Sequence, residues 1–212
     1  MAARGQPGKR GDIMRGALAV FARDGYTRAS IDAISAEAGV STRTIYNHFQ
    51  DKAALFVAVV RASTEGVAEA QTAIITRHPL GGGDLGDLEA ALAALAADLA
   101  APMSGDHAEH FALVRQLDAE SGHVPEEAVE TWRESGPDRV QGLLAERFAG
   151  LMRDGRMRAE GADAGLAASH FLLLVRGALP FQHGLGRRGE DEVEVAVRAG
   201  VRAFLWGYGV RG

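Results

Sequence analysis

VSTRTIYNHF, residues 40–49, carries three apolar side chains, Val40, Ile45 and Phe49, among residues rich in hydrogen-bonding groups. Ser41 is a favourable N-cap, and a helix projected from it at about 100° per residue turns Ile45 inward, with Phe49 one turn later on the same side. Arg43 and Asn47 then share the opposite, outward face, with Thr42 and Thr44 beside them near the N-terminus. Those side chains suit base edges: Arg donates twice to guanine, Asn bonds adenine at two atoms, and a Thr methyl packs on the thymine methyl. A helix this short and polar fits a major groove. Tyr46, His48 and Lys52 fall where they can hydrogen-bond phosphates on either side of it. The plainer reading, a solvated polar face, is the default for such a segment on its own.

The neighbouring sequence shifts that balance. Ser30 can cap a short helix whose inward positions are Ile31, Ile34 and Ala38, and Gly39 can take the left-handed conformation that stops it. Before it, Ile13, Ala17, Val20 and Phe21 fall on one face, which predicts an amphipathic helix over about residues 10–24, ended by Gly25. Two helices joined by a three- to four-residue turn containing Gly form a helix-turn-helix pattern. A basic arm, MAARGQPGKRGD, precedes it.

The charge is distributed to match. Residues 1–61 hold nine Lys or Arg against five Asp or Glu, and residues 62–212 hold fourteen against twenty-three, within a net charge of −5. The basic part suits a polyanion. Cysteine is absent, which removes disulfides, thiol nucleophiles and thiolate metal sites together. No apolar run is long enough for a bilayer, and the basic start lacks the apolar stretch and cleavage site of a secretory signal, so the expected location is the cytoplasm with no membrane partner.

Beyond Lys52 the periodicity remains helical. One helix is expected to about Arg77, a loop at HPLGGG (residues 78–83), and a helix in LGDLEAALAALAADLAAP ended by Pro102. A helix over 107–121 is expected to turn Phe111, Val114 and Leu117 inward. The segment 126–154 should break at Gly136-Pro137 and carry Val140, Leu144, Phe148 and Leu151 as its later stripe. Two last helices are expected at about 163–183 and 189–208. No alternating strand pattern appears, so the fold class is all-α: a three-helix N-terminal helix-turn-helix domain and a larger helical C-terminal domain.

At this point the sequence resembles a family. The span Ile13–Leu55, most of it contained in ALAVFARDGYTRASIDAISAEAGVSTRTIYNHFQDKAALF (residues 17–56), is similar to the DNA-binding domain of the TetR family of bacterial transcriptional regulators. The likeness rests on Phe21 and Gly25, Ser30 and Ile34, AGVS at 38–41, IY at 45–46, HF at 48–49, and Lys52. Ser30 stands where the family more often has Thr, and Ile45 where Leu is usual. Residues 115–157, RQLDAESGHVPEEAVETWRESGPDRVQGLLAERFAGLMRDGRM, are similar to the C-terminal region of the AefR-like branch. The resemblance implies phosphate contacts from Ser30, Tyr46, His48 and Lys52, and base or groove contacts from Thr42, Arg43, Thr44 and Asn47. It implies a division into a DNA-binding domain, residues 1–51, and an effector-binding and dimerisation domain, residues 52–212. It also implies a small-molecule pocket among the C-terminal helices, for which Met103, His107, His110, Phe111, Val114, Trp132, Phe148, Met152 and Phe171 are the candidates.

AGLAASHFLLLVRGALPF is apolar around most of a helical circumference, and the final helix offers Val193, Val197, Val201, Phe204 and Tyr208 along one side. Pairing of two such helices from each chain is the expected dimer interface, with Phe171, Leu174, Val197, Val201, Phe204 and Tyr208 in it. Other constellations carry less. His107 and His110 have metal-ligand spacing but no third ligand nearby, so no metal and no cofactor are expected. Asp118 and Glu120 are too close along one helix to face each other, and no serine has an evident His and acid partner, so no catalytic residue is assigned. GLGRRG at 184–189 lacks the strand and spacing of a phosphate loop. The favoured function is a homodimeric repressor released from a near-palindromic duplex operator by a small apolar or amphipathic effector. The competing readings are a DNA-binding regulator without an effector or acting as an activator, and a helix-turn-helix head fused to a metal-binding or enzymatic domain.

Overall fold

The computed structural model describes residues 7–81, 84–101, 107–158, 161, 163–177 and 190–210. Ten helices lie among them: α1 (Pro7–Arg28), α2 (Ile31–Ala38), α3 (Thr42–Tyr46), α4 (Lys52–Arg77), α5 (Leu85–Ala100), α6 (Ala108–Ala119), α7 (Glu126–Ser135), α8 (Pro137–Arg153), α9 (Ala164–Gly177) and α10 (Glu190–Tyr208). The described residues contain no strand, only one isolated antiparallel bridge between Met157 and Gly209. None of the described helices is long and apolar enough to cross a membrane. By packing, the chain forms two units, Met1–Ala68 with Gly105–Pro137, and Glu69–Ser104 with Asp138–Gly212.

The first unit is built around α1, α2 and α3. Gly25, at φ 77 and ψ 172, breaks α1 where the sequence predicts its end, after which the chain makes one further turn to Arg28. Ser30 Oγ accepts from the Ala33 amide at 3.1 Å, and left-handed Gly39, at φ 64, closes α2. Ser41 Oγ accepts from the Thr44 amide at 3.1 Å and starts α3. Each short helix is thus stopped and started by a side chain or a glycine that satisfies its open backbone groups. Ile13, Ala17, Val20, Phe21, Ile34, Ile45, Phe49, Leu55, Phe56 and Val59 are buried together. Phe21 meets Phe56 edge-on at 4.8 Å, and Tyr26 lies against Phe56 at 4.8 Å. Each fully buried aliphatic or aromatic side chain contributes about 1.5–3 kcal/mol of transfer free energy. The same core takes in Leu113 and Leu117 of α6 and Ala128 of α7, so it does not close at residue 51.

The phase of α6 differs from the sequence expectation. His110, Leu113 and Leu117 face inward, whereas Phe111 and Val114 are only partly buried. The helix packs along α1. Leu113 and Leu117 join the core that α1 lines, His110 bonds Ser63 of α4, and the larger aromatic at 111 falls to one side.

The second unit follows the expected stripes more closely. Asp84 and Asp87 form a capping box at the start of α5, whose Leu88, Leu92, Leu95 and Leu99 are buried. Val140, Leu144, Phe148 and Leu151 are buried on α8. Phe148, Phe171 and Phe204 form a closed triad with ring centres 5.3–5.6 Å apart. The expected dimer set needs correction on this point. Phe171, Val197, Val201 and Phe204 are at most 1% exposed within one chain, so they are core and have no surface left to give a partner. The outward apolar side chains of α9 and α10 are Leu166, Leu173, Val195 and Trp206, 52–72% exposed, with Leu174 at 37%. Tyr208 is partly buried and bonds His170 Nδ1 at 2.7 Å. Arg158 finishes α10, its backbone amide donating to Tyr208 O and its guanidinium to the carbonyls of Trp206 and Gly209. The expected continuation of α9 to 183 and the GLGRRG turn fall outside the described residues.

Candidate nucleic-acid interface

Ile45, fully buried, anchors α3 to the core and thereby turns Arg43 outward. Asn47 caps the C-terminal end of α3 in a right-handed helical conformation, with its amide bonded to Arg43 O at 3.1 Å. The helical path therefore continues through it, and the exposed Arg43 and Asn47 project from the same side. Among the described residues Arg43 is paired with no carboxylate, unlike Arg15 with Asp12 and Arg23 with Asp24. Tyr46 is 55% exposed beside them. Thr42 and Thr44 are partly buried, and Thr44 Oγ1 lies 2.8 Å from Ser41 Oγ, which gives it a share in the cap. Ser30 is exposed, and accepting from Ala33 occupies only a lone pair, so its hydroxyl proton is free to be donated.

Lys52 has a role that the sequence reading missed. Its ammonium donates to Tyr26 O at 2.9 Å and Ala29 O at 3.1 Å, and lies 4.5 Å from the centre of the Tyr26 ring. Two of its three protons thus tie the start of α4 to the turn between α1 and α2, which leaves one outside these two bonds. The partners are 26 and 23 residues away, and no local spacing signals them. Arg10 Cζ lies 5.4 Å from the centre of the Phe49 ring, a second contact that local periodicity does not show. His48 is partly buried.

The other named side chains separate. In the first unit, His110 is buried and its Nδ1 lies 2.9 Å from Ser63 Oγ, with the Phe111 ring edge-on at 5.1 Å. His107 precedes α6 as its N-cap residue and is not on the helix with His110. Phe111, Val114 and Trp132 are partly buried. In the second unit, Met152 is partly buried, while Phe148 and Phe171 are at 0% exposure and leave no water-sized space against either ring. Both were expected to line a pocket, and in this conformation they fill one another's surroundings. Met103 lies outside the described residues. Among the described residues no three His, Asp or Glu gather in a way that could hold a metal ion.

Comparison with known proteins shows which family the chain resembles. The model for the tetR family of bacterial regulatory proteins matches residues 13–59, and the model for the AefR-like transcriptional repressor C-terminal domain matches residues 89–210. A protein from Mesorhizobium loti MAFF303099, described as a TetR-family transcriptional regulator, has a structure 30% identical in sequence. The similarity covers 99% of this chain and 100% of that one, with a TM-score of 0.79. The flavonoid-responsive regulator FrrA is 30% identical over 96% of this chain and 98% of its own, with a TM-score of 0.68. The HTH-type transcriptional repressor Rv1474c of Mycobacterium tuberculosis is 40% identical over 60 residues, which are 28% of this chain and 32% of that protein. The match therefore spans about a third of the repressor's length.

Proposed function

We propose, from the premise that this chain belongs to the TetR family of bacterial transcriptional regulators, that it is a cytoplasmic homodimeric repressor whose two heads bind successive major grooves of a near-palindromic operator. The observation that carries the reading is the exposed Arg43–Asn47 side of α3, held outward by buried Ile45 and left without a carboxylate partner among the described residues. On this reading residues 1–51 touch DNA, with Arg43, Asn47, Thr42 and Thr44 toward the groove and Ser30, Tyr46, His48 and the remaining proton of Lys52 toward phosphates. Residues 52–212 serve effector binding and pairing. The outward Leu166, Leu173, Val195 and Trp206 support pairing through α9 and α10, because exposed apolar side chains of this size mark interaction surfaces when they cluster. The effector is an apolar or amphipathic small molecule, a reading supported by the name of the flavonoid-responsive relative. The chain has no enzymatic role in this scheme.

The closed Phe148–Phe171–Phe204 triad favours a second reading, a DNA-binding regulator without an effector. Selection of bound fragments from a genomic library tests the DNA-binding claim. Enrichment of one near-palindrome by the wild-type protein, and its loss with Arg43→Ala, is the expected result. Uniform recovery of all fragments by both proteins would overturn it. Repression assayed with and without small-molecule extracts separates the two readings.

A further inference from the structure

The turn between α1 and α2 is held from two sides. The break at Gly25 carries the chain out of helical geometry, and the amide of Thr27 donates instead to Glu120 Oε2 at 2.9 Å. The Thr27 hydroxyl donates to the same oxygen at 3.2 Å. Glu120 stands at the C-terminal end of α6, 93 residues further along the chain. Its other carboxylate oxygen rests in the space where a side chain at Gly25 would be, so a Cβ there would collide with it, and the positive φ already disfavours any residue but Gly. On the other side of the turn, Lys52 takes the carbonyls of Tyr26 and Ala29. An anion thus holds the turn's amide and a cation holds its carbonyls, and hydrogen bonds to ionised groups are about twice as strong as neutral ones.

We propose that Glu120 is a positioning residue for DNA binding: its grip on Thr27 registers the reading head against the end of α6. A displacement of α6 is then delivered to the α1–α2 turn, and through Ser30 to α2 and α3. A small shift suffices, because two heads must meet grooves about 34–36 Å apart. The inference rests on the DNA-binding, dimeric reading above and adds the contact that fixes the angle of each head.

The test uses the full-length protein and the duplex that the wild type selects from a genomic library, together with the same duplex lengthened or shortened by one base pair between half-sites. Glu120→Ala is expected to lose about tenfold in affinity for the selected spacing. It should lose much less on the altered spacings, so that the preference among the three duplexes flattens. Glu120→Gln, whose amide oxygen still accepts from Thr27, is expected to keep most of the preference. Thr27→Val, which removes only the hydroxyl, should fall between the two. If Glu120→Ala does not fold, the last two variants decide the matter by the same ratio. Arg43→Ala serves as the control for the underlying reading and should weaken all three duplexes in parallel. Parallel losses for Glu120→Ala, or wild-type ratios in all the Glu120 and Thr27 variants, would overturn the clasp while Arg43→Ala still reports sequence-specific binding. Failure of the wild type to select any duplex would remove both.

Discussion

Arg43 and Lys52 both stand at the proposed DNA surface as cations, but they should fail differently when removed. Arg43 is exposed and held by no carboxylate among the described residues, so Arg43→Ala should leave the thermal midpoint unchanged. It should cost about 1–3 kcal/mol at the operator, with non-specific binding much less affected. Lys52 is bound to two carbonyls and an aromatic face. Lys52→Ala should therefore lower the thermal midpoint as well as reduce the slope of log affinity against log salt by about one. A calorimetric scan and a salt titration on the same preparations check both, and a stable Lys52→Ala protein with an altered salt slope would leave Lys52 as a phosphate contact alone. At this scale the sequence was informative where the interaction is local. Ser30, Ser41 and Gly39 act on backbone groups within a few residues, and the capping patterns announce them. The partners of Lys52 and Glu120 are set only by tertiary packing, and no spacing rule reaches that far.

At the scale of elements, hydrophobic period located the helices well but did not always fix which face turns inward. On α8 the four expected residues are the buried ones, because the stripe is the helix's main concentration of large apolar side chains. On α6, apolar residues occupy 111, 113, 114 and 117, wide enough for two phases, and the choice fell to the fit against α1. The same ambiguity misassigned α10, where Val197, Val201 and Phe204 form a real stripe that faces its own unit's core. Ionic contacts between elements offer a test by pH. Asp98 on α5 accepts from Arg77 at 2.6 Å and His78 at 2.8 Å, joining α5 to the end of α4. Hydrogen bonds from Arg77 and then His78 hold its carboxyl below the ordinary value. A carboxylate whose folded pKa is depressed adds stability above its unfolded value, about 3.9, and loses it as pH falls through the lower folded value. Wild-type protein should thus lose thermal midpoint more steeply than Asp98→Asn below about pH 4. Asp98 is partly open to solvent, so the difference should be small. Superimposable acid limbs for the two proteins would remove Asp98 from the stability balance.

For the whole molecule, core and outward residues of α9 and α10 predict separable losses. Phe204→Ala empties a site in the aromatic triad and should cost about 3–5 kcal/mol of folding stability. Leu173→Glu with Trp206→Glu places charge on exposed positions and should leave the fold intact while shifting sedimentation from dimer to monomer. That monomer should lose most of its affinity for a palindrome, because the second half-site is no longer bound by a tethered head. A doubly substituted protein that still sediments as a dimer would move the interface elsewhere. Regulation by a small molecule carries a stricter requirement than pairing. An effector releases the operator only if it binds the released form more tightly, and a hundredfold preference corresponds to about 2.7 kcal/mol of coupling. Linkage is reciprocal, so the operator must weaken effector binding by the same factor. A panel of apolar and amphipathic small molecules is titrated into free protein and into protein saturated with the selected duplex. A lower affinity in the second titration, matched by the drop in operator affinity at saturating ligand, is the expected result. Phe148→Ala should raise ligand affinity if the ligand has to open the aromatic triad, because the substitution removes a ring that must otherwise be displaced. Equal affinities with and without DNA, across the apolar and amphipathic ligands, would leave a DNA-binding dimer with no effector.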